Sequence, residues 1–198
     1  MKRLTFAMAL CALPLAGCIN VSVGGKAGPV QVITLNSLTP ITPDAGHPVI
    51  SAEALTVSTP LAPLAASVTR IPVYERTGNI TYLKGALWAD TPPTLFKALL
   101  AETIEMRAGR AVLDPRLSTA RPGAALSGEL IRFGIDEASG QAVVNYDAML
   151  THEGTTIARR FEAQAPVGPI NGPAAAQALN AAANDVADQV ADWIKTQP

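Results

Sequence analysis

Apolar positions along the chain change period several times, and each change predicts an element. Over 91–109, "TPPTLFKALLAETIEMRAG", Leu95, Phe96, Leu99, Leu100, Thr103 and Ile104 recur at helical spacing, while Lys97, Glu102, Glu105 and Arg107 fall mainly elsewhere. Thr91 is the expected N-cap, Pro92 the first helical residue and Gly109 a left-handed stop. A second helix is expected from Asn171 or Gly172, with Pro173 at its start, to the C-terminus. Its stripe is Leu179, Ala183, Val186, Val190 and Trp193. Asn180, Asp185, Asp188 and Asp192 line the other side as a solvated acidic face.

Between the helices the period falls to two. The runs "LSGELIRFGID", "QAVVNYDAMLTH" and "TTIARRFEAQA" each alternate. Ile131, Phe133 and Ile135 are expected on one face of the first, Val144, Tyr146, Ala148 and Leu150 on one face of the second, and Ile157, Phe161 and Ala163 on one face of the third. Connectors at 136–140 and 152–154 are short enough for hairpins, so the three runs form an antiparallel meander with one apolar face. Before the first helix, strand-like runs occur at 30–36, 53–59, 70–76 and 79–88. Leu55 and Val57 share a face, and Ile80, Tyr82 and Lys84 alternate with Thr81, Leu83 and Gly85. Register between residues 53 and 78 is not readable from this pattern. Strands then helix, twice over, predicts an α+β fold: a mixed, largely antiparallel β-sheet with two main helices packed on one face.

The N-terminus follows another logic. Lys2 and Arg3 precede an apolar run, Leu4 to Leu15, too short for a membrane-spanning helix, which needs about 20 residues. A basic tip, a short apolar core and small residues at the end form the pattern of a secretory signal peptide. The last four residues, Leu15-Ala16-Gly17-Cys18, resemble the bacterial lipobox. The resemblance implies a diacylglycerol on the Cys18 sulfur, cleavage between Gly17 and Cys18, and acylation of the new amino group. One chain holds a protein to a bilayer only marginally, and two or three hold it firmly. Ile19 and Asn20 follow. Neither is the aspartate that commonly retains enterobacterial lipoproteins in the inner membrane, so the outer membrane is expected. Residues 1–17 are thus read as signal peptide, 18–29 as a glycine-rich linker and 30–198 as one domain.

Composition narrows the chemistry. Without Lys2 and Arg3, 13 of the 15 basic residues remain against 16 acidic, a net charge of −3. That gives no electrostatic case for nucleic acid. Cys11 leaves with the leader and Cys18 carries lipid, so no disulfide or thiolate metal site is expected. His47 lies in a proline-rich loop and His152 in a hairpin turn beside Glu153. Two separated histidines supply a catalytic zinc site poorly, since it needs about three protein ligands. Ser127 precedes Gly128 inside a strand-like run, without a nucleophile elbow. The expectation is no catalytic residue, no metal and no cofactor.

The runs "YLKGALWADTPPTLFKALLAETIE" and "LSGELIRFGIDEASGQAVVNYDAMLTHEGTTIARRFEA", with the alanine-rich closing helix, resemble the ABC-type transport auxiliary lipoprotein family (PqiC-like) over roughly Val30 to Thr196. Trp88 matches the family's tryptophan before the helix, as a packing residue. The resemblance implies no catalytic motif. It implies partnership with an MCE-domain membrane protein and its ABC transporter, in systems that move phospholipids or other hydrophobic molecules across the envelope. It leaves room for a homo-oligomer. Two readings follow: a scaffold that joins a membrane to such an assembly, or a lipid-binding carrier with its own apolar pocket. For the anchor, Cys18→Ser is expected to leave an unprocessed precursor that takes up no palmitate. Undiminished palmitate labelling contradicts the lipobox.

Overall fold

The computed structural model describes residues 30–39 and 49–197. Cys11, Gly17, Cys18 and His47 lie outside the described residues. In chain order the elements are β1 (Gln31–Ile33), β2 (Leu55–Val57), β3 (Arg70–Tyr74), β4 (Ile80–Trp88), α1 (Pro92–Thr103), β5 (Ala124–Asp136), β6 (Gln141–His152), β7 (Thr155–Pro166) and α2 (Gly172–Lys195). All seven strands join one sheet in the order β1-β4-β3-β5-β6-β7, with β2 also beside β5. The pairs β3–β4, β5–β6 and β6–β7 are antiparallel, while β1–β4, β2–β5 and β3–β5 are parallel. This is the expected α+β arrangement.

The long meander β5–β6–β7 carries the core. Leu126, Leu130, Phe133, Ile135, Ala142, Val144, Tyr146, Ala148, Leu150, Phe161 and Ala163 are buried toward the helices. The β6–β7 turn is two residues, Glu153 and Gly154, at φ 49° and 79°. Positive φ at both positions is the backbone whose twist matches the flanking strands. One expected phase is corrected. Ile131 is only half-buried and Leu130 takes the core position, because the register slips between Leu130 and Arg132. A β-bulge sets two residues against one, so every side chain after it changes face. Ile157 shares the expected face but stays exposed near the free end of β7. Gly128 answers to a neighbour: a Cβ there would lie 2.7 Å from the Tyr146 ring, whose hydroxyl donates to the Ser127 carbonyl at 3.1 Å.

The segment that sequence left without register lies beside β5. Leu55–Val57 runs parallel to Ala124–Leu126, Leu61 bridges Glu129, and Val73–Tyr74 pairs with Ile135–Asp136. Residues 61–73 hold six more positions than 129–135 opposite them, and the excess loops out through a 3-10 turn, Leu64–Ala66. Ser67 closes that turn by donating to the Ala62 and Pro63 carbonyls.

Both helices pack on the same face. Phe96 of α1 meets Tyr146 edge-on at 5.3 Å, and Trp193 of α2 meets Phe161 at 5.5 Å. Leu99 and Leu100 are both buried, as the helical spacing predicts, and Lys97 reaches Asp114 at 3.2 Å. Helix α1 does not run straight to its stop: Ile104–Ala108 widens into a π-turn, and Gly109 then closes it at φ 68°. Helix α2 is buried over a broader arc than its expected stripe, with Ala175, Ala178, Ala182, Ala187, Ala191 and Ile194 added. It is wedged between the sheet and the α1 π-turn, and alanines permit that close approach on two sides. Leu100→Ala is expected to cost about 2–5 kcal/mol. Thermal unfolding should then fall by roughly 4–20 °C, since about 1 kcal/mol moves a domain of this size by 2–4 °C. Lys97→Ala, which loses one partly exposed ion pair, should move it far less. Equal small shifts in a thermal melt would contradict the assignment of the buried face.

Candidate docking surfaces

Three hydrogen bonds fix where the N-terminal segment meets the fold, and a fourth, within α2, holds the Asn184 side chain in place. The Asn180 side-chain oxygen accepts from the Asn36 amide at 2.8 Å, and that of Asn184 accepts from the Leu38 amide at 2.8 Å. The Asn184 amide donates to the Asn36 and Asn180 carbonyls, at 2.9 and 2.8 Å. Asn184 is itself buried, so both ends of its side chain need partners, and residues 36–38 with the preceding helical turn supply them. Upstream, β1 is held against the end of β4, and the Ile33 carbonyl accepts from the Ala89 amide at 2.7 Å. Residues 31–38 are therefore a strap across one edge of the domain. The hydrophobic stripe alone puts Asn180 on a solvated side. The detectable signal was a second asparagine four residues on, inside a run of alanines.

Trp88 is buried at 2% exposure, edge-on to Phe133 at 5.5 Å. Its indole N–H is buried with no hydrogen-bond partner among the described residues. The ring is part of the core beneath the helices, not of a contact surface.

The acidic residues of α2 are exposed but not all solitary. Arg107, on the α1 π-turn, grips Asp192 with two hydrogen bonds of 2.7 Å and lies 3.6 Å from Asp188. The hydrogen bonds from Arg107 hold the Asp192 carboxyl below the usual carboxylate range. On the sheet face away from the helices, Arg160 grips Asp147 with two bonds of 2.6 Å, which lowers the Asp147 carboxyl likewise. Asp136 is lowered first by the Ser139 amide and then by Arg132. A carboxyl lowered in the folded state stabilises above its unfolded pKa of about 4 and loses that contribution as pH falls through the folded value. Most of these groups are partly exposed, so each contributes little.

Of the three groups weighed for catalysis, His47 lies outside the described residues, and the other two occupy different places in the sheet. Ser127 sits in mid-β5 opposite Met149, while His152 ends β6. No cluster of three or more His, Cys, Asp or Glu residues suited to a metal ion occurs among the described residues. His152 lines two adjoining clefts with Gln197. One, of about 500 Å³, is walled by Val49, Ile50, Ala54 and Arg110; the other, of about 270 Å³, by Leu150 and Ile157. A third, of about 530 Å³, lies over Asp147, Met149 and Arg160. All three open to solvent and mix polar with apolar walls.

The uncovered sheet face differs between its ends. Over β6 and β7 it carries Asp147–Arg160, Asn145 bonded to Glu162, and Thr151 bonded to Thr156. Over β1, β4 and β3 it carries Val32 beside Leu87, Leu87 beside Arg70, Tyr82 beside Pro72, and Ile80 beside Tyr74. The Arg70 guanidinium lies over the Tyr82 ring at 3.9 Å.

The architecture is thus an open seven-stranded sheet with two helices on one face and the N-terminal segment strapped across one edge. The chain matches the family model of the ABC-type transport auxiliary lipoprotein component over residues 36–191 and belongs to that family. It is similar to the solved structure of XCC0632 from Xanthomonas campestris, described as a member of family DUF330. That match has 23% identity and a TM-score of 0.68, and covers 83% of this chain and 95% of the other. A second similar crystal structure, of an uncharacterized protein, has 15% identity and a TM-score of 0.67, with 84% and 99% covered. At these identities the structures support the fold alone. No curated protein matches the chain. The family is one of transport auxiliary components, not of enzymes.

Asn184→Leu keeps a side chain of similar size but leaves the Leu38 amide and the Asn36 carbonyl without their partner. It is expected to cost about 1–3 kcal/mol and to speed hydrogen exchange at Leu38 while α1 and β5 keep their protection. Unchanged exchange at Leu38 would contradict the strap.

Proposed function

We propose that this lipoprotein is a membrane-held docking component of an MCE-type ABC transport system that moves phospholipids or other hydrophobic molecules across the cell envelope. The observation that carries the reading is membership of the auxiliary family, joined to a closed-packed interior. A lipid carrier needs an apolar site that encloses most of its ligand. All three clefts described above open to solvent; two have walls about half polar, and the third, over Asp147 and Met149, is mostly apolar but the most open of the three. The module is therefore suited to hold proteins, with Cys18 and its acyl chains holding it to a membrane, the outer membrane by the residues that follow Cys18. Its direct partner is the MCE-domain protein, and the ABC transporter is reached through that protein. No helix among the described residues is long and apolar enough to cross a membrane, so attachment rests on lipid in this reading. Trp88 serves it from inside, as a core residue packed against Phe133.

On this account the role is positional. A short linker keeps the domain at high effective concentration near an assembly that reaches it. A secreted form lacking the lipidated cysteine is expected to bind the MCE partner in vitro. Matched to the native abundance in the periplasm, it is expected not to restore detergent tolerance in a deletion strain. Full rescue would overturn the tethered role and favour a diffusible carrier.

A further inference from the structure

Most of the uncovered sheet face is neutralised in pairs, but its β1–β4–β3 end is not. There, Val30 and Val32 are 55% and 69% exposed, and Ile80 is 45% exposed at the far end of β4. Strand alternation sets Val32 and Leu87 on the same face, because Ile33 and Trp88, one position on, both turn toward the core. The charged groups within these three strands are both cationic, and Asp136 of β5, opposite Tyr74, is paired with Arg132. Arg70 lies over Tyr82, and exposed Lys84 follows on β4. The nearest carboxylates along this hairpin, Glu75 and Asp90, sit beyond the ends of its two strands.

This mixture has a physical reading. Short apolar side chains, an aromatic ring with a polar tip and long cationic side chains suit the boundary between hydrocarbon and headgroups. The cations complement the anionic phosphates there. The opposite end of the face, with Asp147, Glu162 and Glu129 among its side chains, would be repelled or costly to desolvate.

The chain itself supplies the occupant. Residues 18–29 are twelve residues that end at Val30, beside the exposed valines, and even fully extended they reach at most about 40 Å. We infer that the β1–β4–β3 end of the uncovered face rests on the bilayer that holds the Cys18 acyl chains, turning α2 away from the membrane and leaving the β6–β7 end free. The inference rests on the lipid anchor in the proposed function. It adds an orientation: the strap does not merely trail the domain from the membrane but lays one defined face on it.

The test uses the full lipidated chain in vesicles of phosphatidylethanolamine and phosphatidylglycerol, with a nitroxide on Val32→Cys or, as control, on Met149→Cys. Met149 is exposed on the same face at the other end. The ratio of oxygen to water-soluble nickel collisions is expected to be several-fold higher at position 32 than at 149. Equal ratios in chains that float with the vesicles overturn the orientation and leave the anchor standing. Chains that do not float refute the anchor, and the orientation falls with it. Protection at position 32 that arises only on adding the MCE protein overturns the proposal in favour of a protein surface.

Discussion

The structure depends on how α2 is buried. A 24-residue helix lies across β4 to β7 and also against the α1 π-turn, so its alanines touch neighbours on two sides. That double contact is possible only with small side chains, and it turns most of the helix circumference into core. Polar groups caught in such an arc must find partners inside it. Asn184 does so by taking hold of residues 36–38, and the strap at the N-terminus is the consequence. The same packing brings the end of α1 within reach of α2, where Arg107 meets Asp192. One face of the sheet is thereby sealed, and contacts with other molecules fall to the opposite face and the two edges.

Legibility in the sequence followed locality. The inward sides of α1, β6 and β7 could be read because the periods of 3.6 and 2 persist over whole elements. The phase of β5 could be read for Phe133 and Ile135 but not before them, since a single bulged residue at Ile131 moves the pattern without leaving a mark in composition. Residues 55–74 could not be registered because their partner is β5, far along the chain, and the pairing is parallel and interrupted by a loop of exposed leucines. The turn Glu153-Gly154 was legible as a hairpin from its length and its glycine.

The candidate site divides in the same way. Cys18 could be proposed as a lipid-attachment site because the lipobox it resembles is a contiguous motif. Trp88 was expected as a packing residue from the resemblance alone, and it lies buried against Phe133 in the core. The clasp of Asn180 and Asn184 on the strap was not visible, because a helix face drawn from hydrophobicity alone counts asparagine as solvent-facing. The division of the uncovered face into a paired-charge end and an apolar, cationic end needed the sheet order, which the linear pattern does not contain.

On the proposed reading these features belong to a tethered module whose core is packed by its own side chains. The family supplies the setting, an ABC-type transport system, and the packing argues that the chain contributes position and contact to it. The most direct measurement is native mass spectrometry of the protein released gently from membranes, with its non-covalent lipids extracted and identified. The account predicts the mass of the chain with its covalent acyl groups and no lipid retained at defined stoichiometry. A phospholipid held one to one through the gas phase, and released only on unfolding, would contradict it.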